Sequence, residues 1–140
     1  MGAAAADKVY MVGYGHMNLP GPLDRITKGY KAKFNDDMYT GSLYSGLTML
    51  DQAFLRAKTT DPAKVAATME GMKFNSLNGE VEMRKSDHQL QQGLFIARWE
   101  KAGGKYPMDS ENTGYTFVPV KYYEPYVAST PTSCEMKRPS

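Results

Sequence analysis

MYTGSLYSGLTMLDQAFLRAK, residues 38–58, decides the fold class. Leu43, Leu47, Leu50 and Phe54 recur at the spacing of one helix face, and Tyr44, Met49 and Leu55 widen that stripe. Ser45 and Gly46 are small, so a neighbouring backbone can approach closely there. Asp51, Gln52, Arg56 and Lys58 suit the wetter side. The pattern predicts a helix pressed into a core. Asn35, Asp36 and Asp37 make an acidic, turn-forming lead-in, and Tyr39 stands at the joint between that turn and the helix.

Upstream, residues 8–14 (KVYMVGY) read as a short buried strand bounded by glycines. Gly13 to Asn18 break it, and Pro20, Gly21 and Pro22 form a turn. Leu23, Ile26, Tyr30 and Phe34 then recur at helical intervals, with Lys28, Lys31 and Lys33 mostly off the stripe. Downstream of residue 58, Asp61 can cap a third helix whose first position suits Pro62. Val65, Met69 and Met72 give that helix its apolar side, and Gly71 is a natural stop.

The character changes after residue 72. Residues 74–79 are turn-rich, and Asn78-Gly79 signals a tight turn. Residues 80–84 alternate charged and apolar side chains, as a half-exposed strand does. A polar connection (85–92) precedes residues 94–99 (LFIARW), whose near-continuous apolarity predicts a strand buried on both faces. Residues 116–123 read as extended, with Pro119 arguing against a central position in a sheet. The tail, 124–140, ends rich in Pro, Ser and Thr and is expected to wrap the surface or stay unfolded.

The chain of 140 residues suits one domain, and its net charge of +2 comes from interspersed charges with no basic block to track nucleic-acid phosphates. No apolar run is long enough to span a membrane, and the start, Met-Gly-Ala-Ala-Ala-Ala-Asp, lacks the pattern of a signal peptide. Cys134 stands alone, so no disulfide closes within the chain. His16 and His88 lack metal-ligand spacing, so no metal or other cofactor is expected. Gly13-x-Gly15-x-x-Asn18 follows a strand and precedes a helix, as a dinucleotide fingerprint does, but the third glycine is missing; it reads as a flexible crossover. No Gly-x-Ser-x-Gly elbow is present, and Asp36-Asp37 and Glu80/Glu82 read as solvated charges. An enzyme is not expected, although Asp87 and His88 are adjacent. Most aromatics read as core, while Tyr14 and Tyr39 sit at element ends beside flexible joints, where α/β folds often bind ligands.

The order of these parts resembles the C-terminal portion of branched-chain amino acid-type ABC transporter substrate-binding proteins, the type I periplasmic binding proteins. DPAKVAATMEGMKF, the NGEVEMR…DHQ region, the joint of Tyr39 to the long helix and the ending TSCEMKRP carry the resemblance, which covers nearly the whole chain. It implies an α/β chain with three helices and a few strands, a partial copy of a fold in which two lobes close on a solute. Residues 1–140 would be a single C-terminal fragment: a hinge-like crossing at 13–16, a helical part at 22–72, strands at 74–123 and the tail at 124–140. Tyr39 would line the cleft, with Tyr14 and His16 at its rim. The solute would be an amino acid or related small organic acid, the protein partner an ABC transporter permease, and the compartment of the parent family the periplasm. Because complete members are much longer, helix faces are expected to be left bare. Oligomerisation or element exchange would then complete the fold. The alternative is a self-associating, non-catalytic structural or regulatory module that binds no ligand.

Overall fold

Within residues 38–58 a helix does form, α2 (Gly41–Ala57), in the computed structural model, which describes residues 1–138 apart from 16, 20, 78 and 128. The helix ends on Lys58 in the left-handed conformation. Its orientation corrects the sequence expectation. Ala53 is 0 % exposed, Ser45 is buried, and Met49 and Ala57 pack beside the core. These residues recur every four positions, so they share a face. The leucine stripe points away from it: Leu43 is 61 % and Leu47 59 % exposed, and Tyr44, Phe54 and Leu55 are exposed with them. The reason is proximity. The backbone N–H of Leu77 donates to Ser45 Oγ at 3.2 Å, an approach that a larger side chain at 45 would block.

α2 is preceded by α1 (Pro22–Phe34) and followed by α3 (Pro62–Met69). The Asp61 carboxylate accepts from Lys64 N at 2.9 Å, so the expected cap forms and Pro62 opens the helix. Gly71 follows with φ +71°, a backbone conformation that glycine adopts freely, and its N–H donates to Met83 O.

That turn feeds an antiparallel sheet of β2 (Lys73–Ser76), β3 (Gly79–Met83) and the short β4 (Leu90–Gln91), in that spatial order. Residues 74–76, expected as part of a turn, are thus strand: Phe74 and Ser76 alternate inward, with Val81 opposite Phe74, and Val81 and Met83 are buried along β3. Of the expected Asn78-Gly79 turn, Asn78 lies outside the described residues, and Gly79 pairs with Ser76. Ala53, Val65, Met72, Phe74 and Val81 form one core cluster between this sheet and α2–α3.

A second antiparallel sheet has the order β1 (Tyr10–Gly13), β5 (Leu94–Lys101), β6 (Tyr115–Tyr123). β1 is an edge strand with Tyr10 and Val12 exposed, rather than the buried strand expected. β5 is central, but only Ala97 and Trp99 are buried along it, so the expectation of burial on both faces is corrected as well. Pro119 sits on the edge strand β6 at a register shift opposite Ile96 and Ala97, where the missing N–H is tolerated. Gly93 admits the Tyr122 ring and hydroxyl, which a Cβ there would meet.

The tail runs against the β2–β3–β4 sheet as a tethered strap. Arg84 pairs with Asp87 and donates to Ser129 Oγ and Thr130 O, Gln91 donates to Ser129 Oγ, Tyr126 OH donates to Glu82, and Arg138 pairs with Glu70. Among the described residues no helix is long and apolar enough to cross a membrane.

Candidate functional site

A cavity of about 470 Å³ lies between the β1–β5–β6 sheet and the joint that leads into α2. Its apolar wall comes from the sheet and from α1. Met11 projects from β1, Trp99 from β5, Phe117 from β6 and Leu23 from α1. Met17, Met38 and Met108 arrive on the connections. Unbranched methionines fill such irregular space adaptably. Trp99 is fixed from three sides. It stacks on Tyr115 at 6.0 Å between centroids, meets Phe117 edge-on at 4.9 Å, and its Nε1–H donates to Gly2 O at 3.2 Å.

The polar wall is built around Lys31. Its ammonium donates to Asp37 Oδ1 at 2.9 Å and to Asp109 Oδ1 at 3.2 Å. Burial alone would lower the Lys31 pKa, but the hydrogen bonds and charges of Asp37 and Asp109 outweigh it and hold the ammonium above its ordinary value. The Gly114 N–H and then Lys31 hold the Asp109 carboxyl below its usual range, against the opposing effect of burial. Asp37, read from sequence as a solvated charge, has a side chain only 2 % exposed, and its second oxygen accepts from Glu111 N at 2.9 Å. Lys31, read as lying off the apolar stripe, is the hub of this cluster.

Tyr39 lines the cavity although 67 % exposed, and its hydroxyl donates to Glu111 Oε1 at 2.7 Å. Burial of the phenol, the Glu111 hydrogen bond, and the charges of Glu111, Asp37 and Asp36 together push its pKa upward. Tyr14 lines the same cavity from the end of β1, flanked by Gly13 and Gly15. The structure therefore brings Tyr14 and Tyr39 to one site; His16 lies outside the described residues. Asn18, the last position of the glycine pattern, is engaged structurally. It donates to Met108 O at 2.9 Å and accepts from Met108 N at 2.8 Å.

Sequence reading missed Lys31, Asp37 and Glu111 as site residues. Glu111 is the hardest to foresee, since its partner Tyr39 is 72 positions away and nothing local marks it. Elsewhere, Asp87 is occupied by Arg84, whose hydrogen bond holds its carboxyl well below the usual range. His88 Nε2 lies 3.3 Å from Glu70 Oε1. Among the described residues no group of three or more His, Cys, Asp or Glu is placed to hold a metal ion.

Comparison with known proteins fits this geometry. The family model described as "Periplasmic binding protein" matches residues 1–105. The leucine-, isoleucine-, valine-, threonine- and alanine-binding protein from Brucella ovis, in its closed conformation, superposes with a TM-score of 0.81 at 21% identity, over 99% of this chain and 37% of that one. A solute-binding protein of an ABC transporter from Rhodopseudomonas palustris BisB5, in complex with 3,4-dihydroxybenzoic acid, gives 0.72 at 19% identity over 89% of this chain and 32% of that one. An ABC-type branched-chain amino acid transporter protein from Rhodopseudomonas palustris CGA009 gives 0.65 at 23% identity over 82% and 30%. None of the curated proteins compared matches the chain. An α/β arrangement of three helices and two small sheets, similar to part of ABC transporter solute-binding proteins, is the class that the fold defines. The chain belongs to the periplasmic binding protein family. It spans about a third of the length of the solved structures it matches.

Proposed function

We propose that this chain supplies one wall of the solute site of an ABC transporter receptor, and that the cavity behind Tyr39 and Tyr14 receives the solute. The observation that carries this reading is the cavity itself. It is concave, mostly apolar, has a few convergent polar groups, and sits where β1 ends and α2 begins. An amino acid or related small organic acid is the class of solute, in keeping with the amino acids and the dihydroxybenzoic acid named for two similar structures. Residues 13–16 act as the hinge, absorbing backbone rotation as a second wall closes, and the closed form docks on a permease in the periplasm. The chain's role is binding, without catalysis. Calorimetric titration of the chain with a panel of aliphatic amino acids and hydroxybenzoates tests this, with Tyr39→Ala as the paired variant. Binding by the parent and a loss of affinity in the variant are expected. Unchanged affinity and selectivity in Tyr39→Ala would sink the assignment.

The bare stripe of α2 favours a second reading. Leu43, Leu47, Phe54 and Leu55 form an exposed apolar patch of the kind that drives association. In that reading the chain is a self-associating module, completed by a second copy packing on α2 or by exchanged elements. A tight oligomer that takes none of the panel would select it over the first.

A further inference from the structure

The proposed function leaves open which end of a solute meets the polar wall of the cavity. That wall carries an excess of negative charge. Lys31 is the one cationic side chain among the described lining residues, and Asp37 and Asp109 already hold its ammonium. Glu111 adds a second lining carboxylate to that of Asp37, and among the described lining side chains no further Lys or Arg offsets it. Its position is built by the loop that carries it. Glu111 N donates to Asp37 Oδ2, Asn112 Nδ2 to Asn35 O at 3.2 Å, and Gly114 N to Asp109 Oδ2 at 2.7 Å. These bonds hold Glu111 and Asn112 at φ 51° and 56°, a region that side chains other than glycine enter rarely. A carboxylate offers about four lone-pair sites, and the Tyr39 hydroxyl occupies one of them. Acceptor capacity therefore remains on a carboxylate fixed at the edge of an apolar cavity.

We propose that Glu111 is the specificity-determining residue of this cavity, and that the solute it selects joins an apolar body to a protonated amine that lies against the Glu111 carboxylate. The proposal rests on the reading that the cavity holds a solute. The amine gains a charge-assisted hydrogen bond from Glu111 and lies near the Tyr39 ring, whose face attracts cations. The apolar body takes the space between Met11, Met38 and Trp99. A carboxylate at the same end meets the exposed Glu111 carboxylate and the buried Asp37 and is repelled. Tyr39 feels the same carboxylates: burial first, then the Glu111 hydrogen bond and the nearby negative charges, make its phenol resist ionisation.

Two probes that share a phenylethyl body separate the two charges: 2-phenylethylamine and 3-phenylpropionate, titrated calorimetrically into the 140-residue chain at pH 7. The parent chain is expected to bind the amine about tenfold more tightly than the carboxylate, one charge contact's worth of preference. Glu111→Gln removes the charge while keeping the backbone bonds that build the loop, and is expected to erase that preference; Glu111→Asp is expected to restore part of it. Raising the salt concentration should shrink the preference in the parent chain only. A parent chain that prefers the carboxylate, or a ratio unchanged in Glu111→Gln with the far-ultraviolet spectrum intact, overturns the role of Glu111 and leaves the solute site standing. If neither probe binds, the role of Glu111 in selecting an amine is overturned, and the titrations with amino acids and hydroxybenzoates decide the solute site separately.

Discussion

At Lys31 a single ammonium joins three segments: α1, the joint before α2 through Asp37, and the β5–β6 connection through Asp109. Lys31→Met is expected to lower the unfolding free energy by about 3 kcal/mol, because it strands the Asp37 carboxylate in a buried position. Urea unfolding of the two chains measures this. The same cluster sets a pH dependence. Asp109 is held below its ordinary 3.8, so its contribution is present above that value and is lost as the pH falls through the folded-state value. Lys31 is held above its ordinary 10.5, so its contribution is present below 10.5 and is lost as the pH rises through the folded-state value. Stability is therefore expected to be level between about pH 5 and 9 and to fall on both sides. In Lys31→Met the alkaline decline should be reduced. None of this was legible in the sequence: Asn35-Asp36-Asp37 has the composition of a solvated turn, and only the approach of the 109–114 connection buries Asp37. The position of Tyr39 just ahead of α2 was legible because it depends on local punctuation, a turn followed by a helix.

At the scale of the element, α2 shows where hydrophobic spacing misleads. The periodicity located the helix and its ends well. It assigned the wrong face to this chain's core, since the largest apolar side chains mark the face with most to bury, whereas α3 and β2 approach the face with least bulk. Ala53→Leu is accordingly expected to destabilise by about 1–3 kcal/mol through overpacking, although it adds apolar surface. Leu47→Ser, on the bare stripe, should change the stability of the dilute chain by less than about 0.5 kcal/mol. Thermal melts of both at low concentration compare the two faces. Chain punctuation elsewhere was read correctly: the Asp61 cap, Pro62 at the helix start, and Pro119 on an edge strand all depend on residues next to them. The β2 strand was missed because Asn75, Ser76 and Gly79 carry turn preferences, which pairing with β3 and burial of Phe74 override.

For the whole molecule, the tail is part of the structure through polar tethers, which composition does not reveal. Removing the Arg84 guanidinium, which holds Asp87, Ser129 and Thr130, should release it. Arg84→Ala is expected to be trimmed beyond residue 123 by proteinase K, which needs no Lys or Arg, severalfold faster than the parent chain, with the rest of the chain spared; equal trimming rates would show that the tethers do not secure the tail. The two small sheets and the bare face of α2 together fit a chain that spans about a third of its structural neighbours' length. The most direct test of the central claim, that a solute enters the cavity behind Tyr39, uses the methionines as reporters. Carbon-13 methyl spectra are recorded while the solute that binds best is titrated in. The account predicts shifts at Met11, Met17, Met38 and Met108, which line the cavity, with Met72 and Met83 of the other core unmoved. Shifts confined to Met72 and Met83, or saturable binding that leaves the four cavity methionines unchanged, would contradict it.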